Sequence, residues 1–139
     1  MLVSTASNAI PSKANAVIMI KAADKASLKK IADAYFTNLQ KKYAGIEDGM
    51  QLLITDAPAA GQVLSAQDRD NAILFMDEII DGVNTWSADM KGLVESSSNL
   101  GIFTADQSGI AAKTYVRSSV GELEERIVQS QQELLLQLY

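Results

Sequence analysis

Two polar segments near opposite ends of the chain contain side chains that could bind a polar or charged ligand. Asn8 stands before an Ile-Pro pair, and its amide can donate and accept hydrogen bonds while Pro11 restricts the backbone that follows. Arg117 follows an apolar run, and its planar guanidinium can hold a carboxylate through two parallel hydrogen bonds. Taken singly, a turn-forming Asn and a solvated surface Arg are the commoner explanations of such residues.

Several acidic pairs have the residue types needed for acid-base catalysis or for binding a hard metal ion. All of them lie on predicted helices or at helix ends, away from the apolar face: Glu47/Asp48, Asp68/Asp70, Asp77/Glu78/Asp81 and Glu124/Glu125. Charges in such positions are most often solvated, so the sequence predicts no catalytic and no metal-binding residue among them. The glycine patterns of nucleotide-binding loops do not occur either.

Composition excludes much of the familiar hydrolytic chemistry. The 139 residues include 12 Lys and Arg, 17 Asp and Glu, no His and no Cys, with a formal charge of −5. The chain therefore lacks the usual zinc ligands, the imidazole of a Ser/His/Asp triad and a thiol nucleophile. The acidic balance disfavours nucleic acid as a partner, because phosphate binding draws on clustered Lys and Arg. A single globular domain of residues 1–139 is expected.

The sequence also carries an expectation about the cellular compartment. Its first residues lack the basic and long apolar regions of a secretory signal. No apolar run reaches the roughly 18 residues that cross a bilayer. We therefore expect a cytoplasmic protein with no membrane partner, which agrees with the absence of Cys.

Strands are predicted where β-branched and apolar residues cluster between turn signals. The predicted strands cover residues 2–5, 15–21, 50–55, 93–96, 101–104 and 110–116. The last two are expected to form a hairpin. The polar stretch at residues 84–89 is expected to be a loop.

Helices are predicted where apolar residues recur at spacings of three and four. The first begins near Asp24, and the second covers residues 66–81 behind a cap at Ser65. The third follows a capping box at residues 119–122, and its apolar face contains Leu123, Ile127, Val128, Gln131, Leu134, Leu135 and Leu138. With the joined stretches at residues 93–96 and 101–104 counted as one strand and residues 2–5 left out, the order is β-α-β-α-β-β-α. This order predicts an α+β fold, a sheet with helices packed on one face.

Three blocks of the sequence resemble, in the same order, the middle part of aminoacyl-histidine dipeptidases, the peptidases that cleave Xaa-His dipeptides such as carnosine. They are Asn-Ala-Ile-Pro at residues 8–11, Gly-Leu-Val-Glu-Ser-Ser-Ser-Asn-Leu-Gly at residues 92–101, and Val-Arg-Ser-Ser-Val at residues 116–120. The first block departs from the pattern of these enzymes on both sides, since Thr-Ala-Ser precedes it and Ser-Lys follows it. The resemblance spans nearly all of this chain but only the lid or dimerisation domain of such an enzyme.

The resemblance implies a parent enzyme that hydrolyses dipeptides with two divalent metal ions, expected to be zinc, on a separate catalytic domain. None of the metal ligands would lie in this chain. It also implies that Asn8 and Arg117 face the catalytic cleft and position the substrate, with Arg117 on its C-terminal carboxylate. The implied partners are the catalytic domain of the same polypeptide, a second copy of the lid and the dipeptide.

Two other functions stay open on the sequence alone. One is a free-standing α+β binding or regulatory module that associates with another protein through its sheet edge or its last helix. The other is an independent enzyme that works only with carboxylates, Lys and Arg. The absence of His, the commonest acid-base residue, weighs against that enzyme.

Overall fold

Asn8 and Arg117 belong to the part of the chain that forms a sheet through long-range strand pairing. The computed structural model describes residues 2–3, 8–58, 61–106 and 109–139. Its contacts divide the chain into two units, one made of Met1–Ala16 with Leu64–Tyr139 and one made of Val17–Val63. Asn8 and Arg117 both belong to the first unit. That residues 1–139 form one domain stays a prediction.

The described residues form strands, α-helices and one short 3-10 turn. In chain order they are β1 (Leu2–Val3), β2 (Lys13–Ala14), the 3-10 turn (Ala22–Asp24), α1 (Lys25–Lys42), α2 (Ala66–Glu78), β3 (Gly82–Trp86), β4 (Val94–Asp106), β5 (Gly109–Ser118) and α3 (Gly121–Leu138). The predicted α+β fold class is confirmed. The predicted order agrees from α2 onward, apart from one additional strand.

The sheet is built around β4, which is paired along both edges. On one edge β5 runs antiparallel to it, from Ser96 opposite Ser118 to Asp106 opposite Gly109. On the other edge β3 pairs near the start of β4 and β1 near its end, and β2 pairs with β1. The hairpin predicted for the last two strands is confirmed.

A β-bulge between Leu100 and Ile102 decides which residues of β4 face the core. Leu100 lies opposite Thr114 and Ile102 lies opposite Lys113, so β4 advances two residues where β5 advances one. The extra residue shifts the alternation of side chains along the strand. Phe103 therefore shares a face with Leu100, although strict alternation would put it on the opposite face. Both side chains are only 5% exposed.

Helices α2 and α3 cover the face of the sheet that Leu100 and Phe103 line. The core consists of Ala72, Phe75, Ile79, Leu100 and Phe103, with Ile110, Leu134 and Leu138 packed against it. The rings of Phe75 and Phe103 stack with their centroids 6.3 Å apart. Burial of apolar surface from both layers stabilises this arrangement, and the predicted packing of helices on one face of the sheet is confirmed for this unit.

A buried polar cluster lies between α3 and the sheet. Gln131 is 8% exposed. Its amide nitrogen donates to Ser98 Oγ at 2.9 Å and to the Ile80 carbonyl at 3.3 Å, and its amide oxygen accepts from Thr114 Oγ1 at 2.9 Å. Ser96, only 1% exposed, forms hydrogen bonds with two side chains of β3. The hydrogen bonds of Gln131 hold α3 at one position on the sheet, and those of Ser96 link β3 to β4.

Replacing Gln131 with alanine is expected to destabilise the chain by about 1–3 kcal/mol, because the change removes a partner from one buried and two half-buried polar groups. The next residue, Gln132, is exposed and provides a matched control. Urea unfolding of Gln131→Ala and Gln132→Ala measures the difference in the free energy of unfolding. Equal losses in the two variants would contradict a buried linking role for Gln131.

The second unit, taken by itself, contains α1. The 3-10 turn leads directly into this helix, so the predicted start near Asp24 is confirmed. The Asp24 side chain makes no capping hydrogen bond. Lys25 forms an ion pair with Asp56 at 2.5 Å, and both side chains are exposed. Exposed pairs of this kind contribute little to stability.

Two predicted strands, at residues 15–21 and 50–55, are wrong. Within the described residues neither segment forms a strand, and their apolar side chains are exposed, for example 41% for Ile54 and 84% for Leu53. Apolar, β-branched composition favours an extended backbone, but a strand also needs a neighbour to pair with. In the predicted strand at residues 2–5, β1 covers the first two positions, and residues 4–5 lie outside the described residues.

The extents of β3 and β4 differ from those predicted from the sequence pattern, because strand pairing decides them. The expected loop at residues 84–89 begins inside β3, whose backbone pairs with β4. The expected strands at residues 93–96 and 101–104 are parts of one strand, because the Ser-rich stretch between them is paired with β5 throughout. Polar side chains fit such a buried strand when their hydroxyls find partners, as those of Ser96 and Ser98 do.

The N-terminal end of α2 agrees with the prediction, and the C-terminal end does not. Ser65 Oγ accepts a hydrogen bond from the Asp68 backbone N–H at 3.1 Å, which confirms the cap. The helix ends at Glu78 instead of residue 81. Ile79 takes an extended conformation and enters the core, where it is 7% exposed.

The predicted capping box before α3 is wrong. The helix begins at Gly121 after Val120, and no side chain caps it. Ser119 is still held to the sheet, because its N–H donates to the Glu95 carbonyl at 3.1 Å. Residue 119 therefore continues the pairing of β4 with β5 and cannot take the capping position.

Candidate functional site

Arg117 lies near the end of β5, on the face of the sheet opposite to α2 and α3. It is paired with Ser97, whereas the next residue of β4, Ser98, contacts the buried Gln131. The guanidinium carbon lies 5.0 Å from the centroid of the Tyr115 ring, two residues earlier on the same face. A cation–π contact of this kind restrains the guanidinium and leaves its N–H groups able to donate.

No carboxylate neutralises Arg117 within the described part of the chain. The ion pairs found there join Lys25 to Asp56, Lys29 to Asp33 and Arg69 to Asp70. The Arg117 side chain is exposed. Its charge and its N–H donors are therefore accessible to an external carboxylate.

Asn8 lies beside the same face of the sheet. The carbonyl of the next residue, Ala9, accepts a hydrogen bond from Asn99 Nδ2 at 3.0 Å. Asn99 is opposite Tyr115 in the β4–β5 ladder, so the segment that starts at Asn8 lies against the face that presents Arg117. The Asn8 side chain is exposed. The two residues predicted from the sequence thus come to one face of one sheet.

An open groove of about 530 Å³ surrounds Arg117 at the end of the sheet. The start of β4, the end of β5 and the first turn of α3 form its walls, which consist of Val94, Glu95, Ser97, Arg117, Ser118, Ser119 and Glu124. Its volume falls in the range of small-molecule sites, roughly 300–1,000 Å³. Asn8 is not among the lining residues, so the structure places one of the two candidates in the groove and the other outside it.

Glu95 and Glu124 are groove residues to which the sequence assigns no binding role. Glu124 is interpreted there as part of a solvated acidic pair, and Glu95 stands in a block used only for the resemblance. The signal that places Glu95 near Arg117 is its spacing of two from Ser97 on β4, combined with the register of the hairpin. A single sequence does not specify that register.

The carboxylates of the described residues do not form a metal site. No group of three or more His, Cys, Asp or Glu side chains lies close enough there to hold a metal ion. With no His and no Cys in the sequence, the donors of this chain do not fit a dinuclear metal centre.

No helix of the described residues combines the length and the apolar character that spanning a bilayer requires.

Comparison with known proteins matches this chain to one part of longer enzymes. No protein-family profile matches it. It is 31% identical over 125 residues to the cytosol non-specific dipeptidase of Escherichia coli (strain K12), covering 89% of this chain and 26% of that protein. Its fold is similar to that of aminoacylhistidine dipeptidase from Vibrio alginolyticus, with a TM-score of 0.82 and 19% identity over 86% of this chain and 24% of that one.

The chain spans about a quarter of the length of the curated dipeptidase that it matches. The structural likeness shows that the two chains share a fold. The link in sequence to dipeptidases comes from the identity to the curated dipeptidase. The resemblance to the aminoacyl-histidine dipeptidases predicted from the three sequence blocks is thereby confirmed, for a segment about one quarter as long as such an enzyme.

Proposed function

We propose that this chain is the non-catalytic lid domain of a metal-dependent dipeptidase, where it helps to close the catalytic cleft and to position the substrate. The observation that carries the proposal is the segmental match, in which 89% of a chain without His aligns with only 26% of a dipeptidase. Hydrolysis at two divalent metal ions, which we propose to be zinc, is assigned to the polypeptide outside this segment, since the donors here do not fit such a centre.

In this proposal Arg117 binds the C-terminal carboxylate of the dipeptide. Three features support the role: its accessible N–H donors, its cation–π contact with Tyr115 at 5.0 Å and its place in an open groove. A guanidinium matches a carboxylate with two parallel, charge-assisted hydrogen bonds. Because the side chain stands on the paired strand β5, its backbone is held in place before the substrate arrives.

Asn8 is proposed to contact a polar group of the same substrate from outside the groove. Its exposed amide can donate and accept, which suits a peptide bond. The Asn99 hydrogen bond to Ala9 ties its segment to the sheet face that carries Arg117. Asn8 and Arg117 would therefore move together when the lid closes.

The proposed partners are the catalytic domain of the same polypeptide and a second copy of the lid. Exposed apolar residues on α3 support a protein contact of this kind, with exposures of 39% for Val128, 43% for Leu135 and 82% for Leu136. The same residues favour the second candidate, a free-standing association module. An open reading frame that continues on both sides of this segment would favour the lid. A cytoplasmic location is proposed in line with the name of the Escherichia coli relative.

The isolated 139-residue chain is expected to show no hydrolysis of an Xaa-His dipeptide above the buffer rate when supplied with zinc, manganese or cobalt. The physical reason is the missing set of His ligands for a metal-bound nucleophile. Release of the free amino acids, followed by chromatography, measures the rate. Metal-dependent turnover by the purified chain would overturn the assignment as a lid.

A further inference from the structure

The groove around Arg117 contains two negative side chains in addition to the guanidinium that would bind a carboxylate. Glu95 and Glu124 line it together with Arg117. Neither glutamate forms an ion pair within the described part of the chain. When a substrate carboxylate pairs with the guanidinium, the two negative charges of the glutamates therefore stay uncompensated.

The register of the hairpin places Glu95 near the guanidinium. Ser97 lies directly opposite Arg117, and Glu95 is two residues earlier on the same strand, in the diagonal position. Cβ atoms of diagonal neighbours in an antiparallel pair lie about 7–8 Å apart, within reach of long side chains. Glu124 reaches the groove from the first turn of α3. Two different elements thus contribute a carboxylate to the groove that contains the Arg117 guanidinium.

From this arrangement, and resting on the proposed function, we infer that Glu95 and Glu124 make the enzyme select for dipeptides with a cationic C-terminal side chain and against those with an acidic one. In this inference the C-terminal side chain, which leaves the same carbon as the carboxylate on Arg117, extends past the glutamates that line the groove. A cationic side chain is attracted there and an acidic one is repelled. Apolar contacts would favour the uncharged member of each isosteric pair, so they would oppose the selection of lysine over norleucine.

The test uses the full-length, metal-loaded dipeptidase that contains this segment. It compares kcat/KM for alanyl-lysine with alanyl-norleucine and for alanyl-glutamine with alanyl-glutamate, because each pair differs mainly in charge. Both ratios are expected to exceed one in the unmodified enzyme. Each of Glu95→Gln and Glu124→Gln should lower both ratios by about 1.5- to 5-fold, the 0.2–1 kcal/mol typical of an exposed ion pair. The double variant should lower them further.

Glu122→Gln is the matched control, since Glu122 is an exposed residue of the same helix turn that does not line the groove. It should leave both ratios unchanged. The effects of the groove glutamates should also shrink at high salt, because exposed charges are screened over about 8–10 Å at ordinary ionic strength. Far-UV spectra and melting temperatures of all variants check that the fold is retained.

Two outcomes would overturn the inference. The first is that the double variant has the same ratios as Glu122→Gln. The second is an equal loss of kcat/KM for all four substrates, which would make the glutamates positioning residues for Arg117. Arg117→Ala is measured in parallel against a free dipeptide and its C-terminal amide. A selective loss toward the free dipeptide with unchanged glutamate ratios would refute this inference alone. An equal loss toward acid and amide would instead refute the proposed role of Arg117, on which the inference rests.

Discussion

Replacing Arg117 with alanine in the full-length dipeptidase is expected to lower kcat/KM for a free dipeptide by roughly thirty-fold or more. Removing one partner of a desolvated charge pair costs on the order of 2–5 kcal/mol, whereas losing a solvated Arg at the rim costs little. Arg117→Lys should also reduce activity, because an ammonium cannot reproduce two parallel hydrogen bonds. Steady-state kinetics with the free dipeptide and its C-terminal amide measure the effect.

The amide is the decisive comparison, since it keeps the shape of the dipeptide and lacks the negative charge. Arg117→Ala should therefore lose much more activity toward the acid than toward the amide. Arg126→Ala serves as the control, because Arg126 is an exposed guanidinium of α3 outside the groove and should be nearly neutral. The fold should scarcely change in either variant. Equal losses of kcat/KM toward the acid and the amide would show that Arg117 does not bind the substrate carboxylate and is an ordinary surface arginine.

Phe103→Ala is expected to destabilise the isolated chain by about 3–5 kcal/mol, the usual cost of truncating a buried phenylalanine. Phe103 is 5% exposed and stacks on Phe75 with centroids 6.3 Å apart, so the change empties the contact between β4 and α2. A loss of this size is a large part of the 5–15 kcal/mol that stabilises a typical domain. Urea unfolding followed by far-UV circular dichroism measures it.

Leu136→Ala is the control for this prediction, because Leu136 is 82% exposed and should lose less than about 0.5 kcal/mol. If Phe103→Ala leaves no folded protein to measure, Phe103→Leu removes less volume and should still destabilise more than the control. A loss in Phe103→Leu no larger than that in Leu136→Ala would show that Phe103 does not face the core, and that the bulge does not have the assigned register.

The candidate site could be predicted from the sequence only in part. Arg117 and Asn8 were identifiable because their segments resemble those of a known enzyme class, and the structure brings both to one sheet face through the Asn99 contact with Ala9. Their binding roles stay predictions. Glu95 and Glu124 were not identifiable, since a glutamate that follows a strand start or opens a helix is normally solvated.

The fold was predicted best where local contacts decide it. In α1 and α3 the apolar residues recur at spacings of three and four, a period that can be read directly from the sequence. The predicted strands at residues 15–21 and 50–55 were wrong because their composition is shared by extended segments with and without a partner. The bulge beside Leu100 was not predictable either, because it depends on how β4 and β5 align.

Composition and the order of the motifs along the chain are enough to tell what chemistry this chain lacks and which enzymes it resembles. The absence of His and Cys is a property of composition, and the three ordered blocks are a property of the linear chain. Which side chains surround Arg117 depends on the tertiary structure, because the groove residues come from different elements. Strand pairing places Glu95 and Arg117 in one groove, and helix docking joins Gln131 to Ser98. The register behind both is set by the sum of many contacts and by no local pattern.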